Sequence, residues 1–151
     1  MKQKTLLAVS AILTASLSGS AAWAQRALPV LELGAGFYRI EAEVAATDRD
    51  RQIGLMRRET MAPQHGMLFV YTEEKTHCMW MKNTLLPLSV AFIDADGAIL
   101  NIEDMQPETE DNHCARRPAR YALEMNLGWF AQRGIGVGDK LRGLERAPRP
   151  Q

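Results

Sequence analysis

Polar and apolar positions along the chain fall into short runs of strand length. Phe37, Arg39, Glu41 and Glu43 alternate with Tyr38, Ile40, Ala42 and Val44, a period of two that predicts a half-buried strand. Met67–Tyr71, Cys78–Met81 and Leu88–Ile93 are apolar runs closed by polar or turn-forming residues, and they predict three sheet strands in sequence. Asp94-Ala95-Asp96-Gly97 is a strong turn signal, which makes Leu88–Ile93 and Ala98–Ile102 a hairpin. In Tyr121–Met125 the residues Tyr121, Leu123 and Met125 share one face, and Ala122 and Glu124 the other. Ile135, Val137 and Leu141 form a last edge segment interrupted by Gly136, Gly138 and Asp139.

Helix signals are few. Thr47 or Asp48 can cap a short helix that runs to about Met56, and Asn126 to Gln132 fits one or two turns stopped by Gly134. The expected fold is mainly β, a β-rich α+β domain. It is a single compact, barrel-like unit of about seven strands with one to three short helices, over residues 37–144. Residues 25–36 read as a flexible N-terminal arm, and Glu145 to Gln151, with Pro148 and Pro150, as a disordered tail. Gln106 to Pro118 is a long polar loop of the kind that is either functional or tied down.

The first 24 residues carry a different pattern. Lys2 and Lys4 precede an apolar run from Leu6 to Leu17, and Ala22-Trp23-Ala24 places small residues where a signal peptidase cuts. The expectation is a signal peptide over residues 1–24 and a periplasmic or secreted product with no membrane contact after cleavage, since the run is short for a span. Removing Lys2 and Lys4 takes the basic count from 18 to 16 against 18 acids, a net charge of −2. No basic patch stands out, so neither nucleic acid nor an anionic membrane is an expected partner. In an oxidising compartment the two cysteines, Cys78 and Cys114, are expected to form one disulfide, which would pin the Gln106–Pro118 loop across the central strand. Free thiols or metal ligation remain the alternatives, because sequence does not place the two Cα atoms.

Gly54-Leu55-Met56-Arg57, Gly66-Met67-Leu68-Phe69, Trp80-Met81-Lys82-Asn83-Thr84, Pro87-Leu88, Phe92-Ile93-Asp94, Leu123-Glu124, Gly128 and Gly138-Asp139 follow one another in an order and spacing that resembles the DUF192 family. The resemblance covers about residues 37–144. It implies a compact β-rich fold, often behind a signal peptide, and brings no established activity and no catalytic residue.

The candidate chemistry therefore rests on the residues themselves. Glu124 lies among Tyr121, Leu123, Met125 and Leu127, an apolar setting that raises a carboxyl pKa unless Lys82 or Arg57 compensates. Either Arg57, Lys82, Asn83 and Glu124 form an internal ion network that fixes strand register, or they line a ligand pocket with Trp80 as an apolar wall. The leading reading is non-catalytic binding of a small polar ligand, a sugar or a peptide terminus, at Arg57, Trp80, Lys82, Asn83 and Glu124, by a monomer that needs no cofactor. One alternative is a periplasmic Cu(I) module, with His77, Met79 and Met81 on one strand face as soft ligands. The other is a protein-interaction module without a small ligand, marked by an exposed apolar patch.

Catalytic constellations are poorly formed. Ser89 has no nucleophile-elbow glycines, and a Cys–His pair competes with the disulfide. Asp94 and Asp96 belong to the turn before Gly97, and Gly134-Ile135-Gly136-Val137-Gly138 lacks both the spacing and the following helix of a dinucleotide fingerprint.

Overall fold

The computed structural model describes residues 27–151. The expected signal peptide, residues 1–24, lies outside the described residues. The elements are β1 (Val30–Ala35), β2 (Tyr38–Ala45), α1 (Asp48–Ile53), β3 (His65–Lys75), β4 (Cys78–Met79), β5 (Leu88–Ile93), β6 (Ile99–Met105), β7 (His113–Cys114), β8 (Ala119–Asn126) and β9 (Leu141–Arg142), with 3-10 turns at Ala131–Arg133 and Leu144–Arg146. Seven strands form one sheet in the order β6-β5-β8-β3-β2-β1-β9. Every neighbouring pair is antiparallel except β2 and β3, which α1 connects. The sheet curls into a half-barrel whose two ends meet at one corner, where Ala98 bridges Lys140 and the Ile99 N–H donates to the Asp139 carbonyl at 2.9 Å.

Both faces of the central strands are covered, which is why β3 and β5 read as unbroken apolar runs. Leu68, Val70, Ala91, Ile93, Leu123 and Met125 point into the curl, where Ile40, Trp129 and Phe130 complete one core. Met67, Phe69, Val90, Phe92 and Ala122 point to the opposite face. There Leu55, Met81, Leu86 and Met105, from the loops and β6, form a second core. Thr47 caps α1 as expected, its Oγ1 accepting from the Asp50 N–H at 3.1 Å, and Arg51 latches the helix to β3 by donating to the Val70 carbonyl at 2.7 Å.

Three expectations are corrected. The arm is a strand from Val30 on: Leu33 and Ala35 are 1% exposed in the inner core, so burial repays the ordering that the small residues had hidden. The tail is held: Leu144 is buried, the Gln151 N–H donates to the Ala46 carbonyl at 2.8 Å, and Arg51 donates to the Gln151 carbonyl at 2.9 Å. Finally, Cys78–Met81 is no central strand. Only Cys78 and Met79 are extended, and they leave the main sheet to pair with β7, Cys78 opposite Cys114. The expected disulfide joins that pair. Asn101, 1% exposed, ties the same loop to β6 by donating to the Cys114 carbonyl at 3.1 Å and accepting from the Arg116 N–H at 3.0 Å.

One glycine fixes how closely β3 and β8 approach. A Cβ on Gly66 would stand 2.4 Å from Met125 Sδ and 2.5 Å from the Glu124 carbonyl oxygen, and the backbone atom cannot swing aside. Gly66→Ala should therefore cost about 2–3 kcal/mol by overpacking. Gly136→Ala, with nothing within 4 Å of its Cβ position, should stay within about 0.5 kcal/mol of wild type. Urea denaturation of the two variants checks this; equal midpoints would refute the close approach.

Candidate functional site

Alternation along β8 puts Glu124 on the outer-core face, opposite Met67 of β3 on one side and Val90 of β5 on the other. Glu124 is 4% exposed, and among the described residues no hydrogen bond reaches its carboxyl. Burial pushes its pKa up to about 8, so at neutral pH the group is mostly a neutral acid. It faces a small cavity of about 20 Å³ bounded by Leu55, Phe69, Met79, Trp80 and Thr84. That volume holds about one water molecule. Arg51 also borders the cavity, but its guanidinium is committed to the carbonyls of Ala46, Val70 and Gln151 and to Asp48.

The expected pairing of Glu124 with Lys82 or Arg57 does not form. Met81 is fully buried, and the turn closed by the Thr84 N–H and the Met81 carbonyl (3.0 Å) puts the next residue outside. Lys82 is 47% exposed, with Nζ 3.9 Å from Glu110 Oε1 and 5.6 Å from the centroid of the Trp80 ring. Arg57 and Asn83 are exposed at the rim, joined to each other by the Arg57 N–H and the Asn83 carbonyl at 2.8 Å. Of the five residues expected at the site, only Glu124 and Trp80 line the cavity. Trp80, 49% exposed, forms its mouth.

The rim holds a concentration of backbone strain. Arg57 (φ 61°), Asn83 (φ 54°) and Glu108 (φ 58°) are the only non-glycine residues with positive φ among the described residues. Backbone hydrogen bonds join them in one loop cluster: Arg57 to Asn83, and the Glu108 N–H to the Thr84 carbonyl at 3.0 Å. Each such residue costs of order 1–3 kcal/mol and persists where surrounding structure enforces it, often beside a functional site.

Tyr71 and His77 flank this region. The Tyr71 hydroxyl donates to Met79 Sδ at 3.1 Å, and the His77 ring stacks on the Tyr71 ring with centroids 3.5 Å apart. Burial raises the Tyr71 pKa, and the Glu124 charge adds to the rise against Arg51. Burial also lowers the His77 pKa, and its Nε2 donates to the Glu73 carbonyl at 2.9 Å. The three residues considered for Cu(I) therefore do not present one open face: Met81 is sealed in the core, Met79 sulfur accepts from Tyr71, and His77 is stacked. Among the described residues no three or more His, Cys, Asp or Glu side chains cluster as metal ligands.

Sequence reasoning points to Thr84, within the polar group Lys82-Asn83-Thr84, but missed Tyr71 and Arg51. Tyr71 was findable: Met67, Phe69 and Tyr71 alternate on one face, and β8 places Glu124 against the first of them.

Comparison with known proteins bears on the family alone. No curated protein matches the chain. A solved structure from Sinorhizobium meliloti 1021, described as a proposed transcription regulator, is 40% identical, covers 76% of this chain and 92% of its own, and superposes with a TM-score of 0.70. A protein of unknown function from Novosphingobium aromaticivorans DSM 12444 is 27% identical, covers 93% of this chain and 99% of its own, and also gives 0.70. The profile of DUF192, described as "Uncharacterized ACR", matches residues 29–143, and the chain belongs to that family.

Proposed function

We propose that this DUF192 domain binds the tip of a small hydroxyl-bearing ligand, a sugar being the simplest, in the Glu124 cleft. The observation that carries the reading is a buried carboxyl without a hydrogen-bond partner, turned toward a cavity beside a half-exposed Trp80. A neutral carboxyl both donates and accepts, which suits a hydroxyl; an ammonium would require the ionised form that burial disfavours. The cavity admits one polar group, so the body of the ligand rests outside, on the Trp80 ring and near Asn83 and Lys82. The role in this reading is binding: the Thr84 hydroxyl at the same cavity donates to the Lys82 carbonyl at 3.3 Å, and the Arg51 guanidinium is committed to backbone carbonyls. Export is part of the same reading, supported by the pattern of residues 1–24 and by the disulfide.

The test is an NMR titration with a panel of monosaccharides at pH 6 and pH 9. At least one sugar should give saturable shifts at Trp80 and the Glu124 neighbours at pH 6, weakened at pH 9 as the carboxyl ionises. Glu124→Gln should keep binding at both pH values, and Glu124→Leu should weaken it at least about tenfold. Absence of any saturable shift, or unchanged affinity in Glu124→Leu, would sink the proposal.

A further inference from the structure

A second and larger concavity lies on different elements. A groove of about 370 Å³ runs between the β1–β2 hairpin and the chain after β9, and shares no lining residue with the Glu124 cleft. Its volume falls in the range of small-molecule sites.

The cations lining it are three arginines, Arg39, Arg142 and Arg146. Each guanidinium has five N–H donors, and only a few are engaged here. Arg39 Nη2 lies 2.8 Å from Glu32 Oε2, with the two side chains 80% and 52% exposed. Arg142 Nη2 donates to the Gly36 carbonyl at 2.7 Å, and Arg146 Nη2 to the Glu32 carbonyl at 2.5 Å. Two of the arginines are thus each tethered to the backbone by one hydrogen bond, while donors remain for a third party. Gly34 permits this, since a Cβ there would stand 2.7 Å from Arg142 Nη2. A planar fork is the donor geometry that favours a carboxylate, which accepts two parallel hydrogen bonds.

The chain already supplies carboxylates to these forks. Glu32 pairs with Arg39, and Glu145 Oε1 lies 3.8 Å from Arg146 Nε, both at exposed positions where an incoming carboxylate can compete. The apolar wall comes from the hairpin tip. Gly36 (φ 54°) turns the chain and leaves the next residue, Phe37, fully exposed at 103%, with Tyr38 at 39% beside it. The inner core makes no use of the Phe37 side chain.

We infer that this groove is a binding site for a carboxylate carried next to a flat apolar group. Two sources share that chemistry: a free aromatic acid, and the C-terminus of a peptide ending in an aromatic residue. The guanidiniums take the carboxylate, and the exposed Phe37 takes the ring.

Titrating ¹⁵N-labelled protein at low salt with N-acetylphenylalanine and with its carboxamide separates charge recognition from contact with the ring. The acid should shift the Gly34, Phe37 and Gly143 amides saturably, and the amide should bind at least about tenfold more weakly. Arg39→Gln, at an exposed position that cannot unfold the domain, should weaken the acid several-fold. Glu145→Gln, which removes a competing carboxylate, should tighten it. A short peptide ending in phenylalanine then distinguishes the sources: tighter binding than the free acid assigns a peptide terminus, and equal or weaker binding assigns a free acid. Equal affinity of acid and amide, or no saturable shift with either, overturns the inference.

Discussion

Raising the pH from 6.5 to 9 should lower the folding stability of the wild-type domain by about 2 kcal/mol, and Glu124→Gln should abolish that fall. The carboxyl titrates near 4.5 in the unfolded chain and at about 8 when folded. Between those values the folded state binds more protons, so stability declines as pH rises; above the folded value the full penalty is present. Over the whole window the loss approaches about 5 kcal/mol, a large fraction of the stability of a domain this size. His77 works in the opposite sense. Its folded pKa is lowered, so its contribution rises with pH until about 6.5 and then stays constant. The clean interval therefore begins there, and it ends below the range in which Tyr71 begins to titrate in the unfolded chain. Chemical denaturation of wild type and Glu124→Gln across the interval decides the matter. Parallel curves for the two proteins would show that the Glu124 carboxyl is not the buried neutral acid described.

The same residue shows what was legible in the sequence and what was not. The rise in pKa was expected from apolar neighbours in sequence, yet Tyr121, Leu123 and Met125 lie on the other face of β8. Burial comes from Met67, Phe69 and the loops that cover them, residues distant in the chain. Strands with alternating pattern or a clear turn, β2, β5 with β6, and β8, were readable because local signals fix them. β1 was not, since its alternation of Leu31, Leu33 and Ala35 with Val30, Glu32 and Gly34 is muted by small residues and completed only by pairing with β2 and β9. Lys82 was misplaced for a conformational reason. An extended strand through Met81 would have aimed it inward or outward by parity, whereas the turn and the positive φ at Asn83 direct it to solvent. What periodicity conveys is the face of a regular element, and the mouth of this cleft is built from irregular ones.

Loss of the Cys78–Cys114 bond should cost up to about 4 kcal/mol, and it should reach the cleft as well as the global stability. The bond closes a separation of 36 residues, and the loop-entropy relation assigns that length about 4 kcal/mol as an upper figure. Between the two cysteines lie β5, β6 and the Trp80–Thr84 turn, so the unfolded chain gains freedom over more than a quarter of the described domain. In the folded state the consequence is local. The β4–β7 ladder has only two residue pairs, Cys78 with Cys114 and Met79 with His113, too few to hold by hydrogen bonding alone. Met79 reaches Tyr71 from that ladder, and Trp80 follows it directly at the cavity mouth. The Cys78→Ala, Cys114→Ala double variant should therefore unfold at lower denaturant and show faster amide exchange at Met79 and Trp80. The Asn101 bonds still anchor the far side of the loop to β6, so Arg116 should stay protected. Uniform loosening of both sides would show that the disulfide holds the loop as a whole. Unchanged exchange at Trp80 would show that the second core, through Met81, positions the mouth without it.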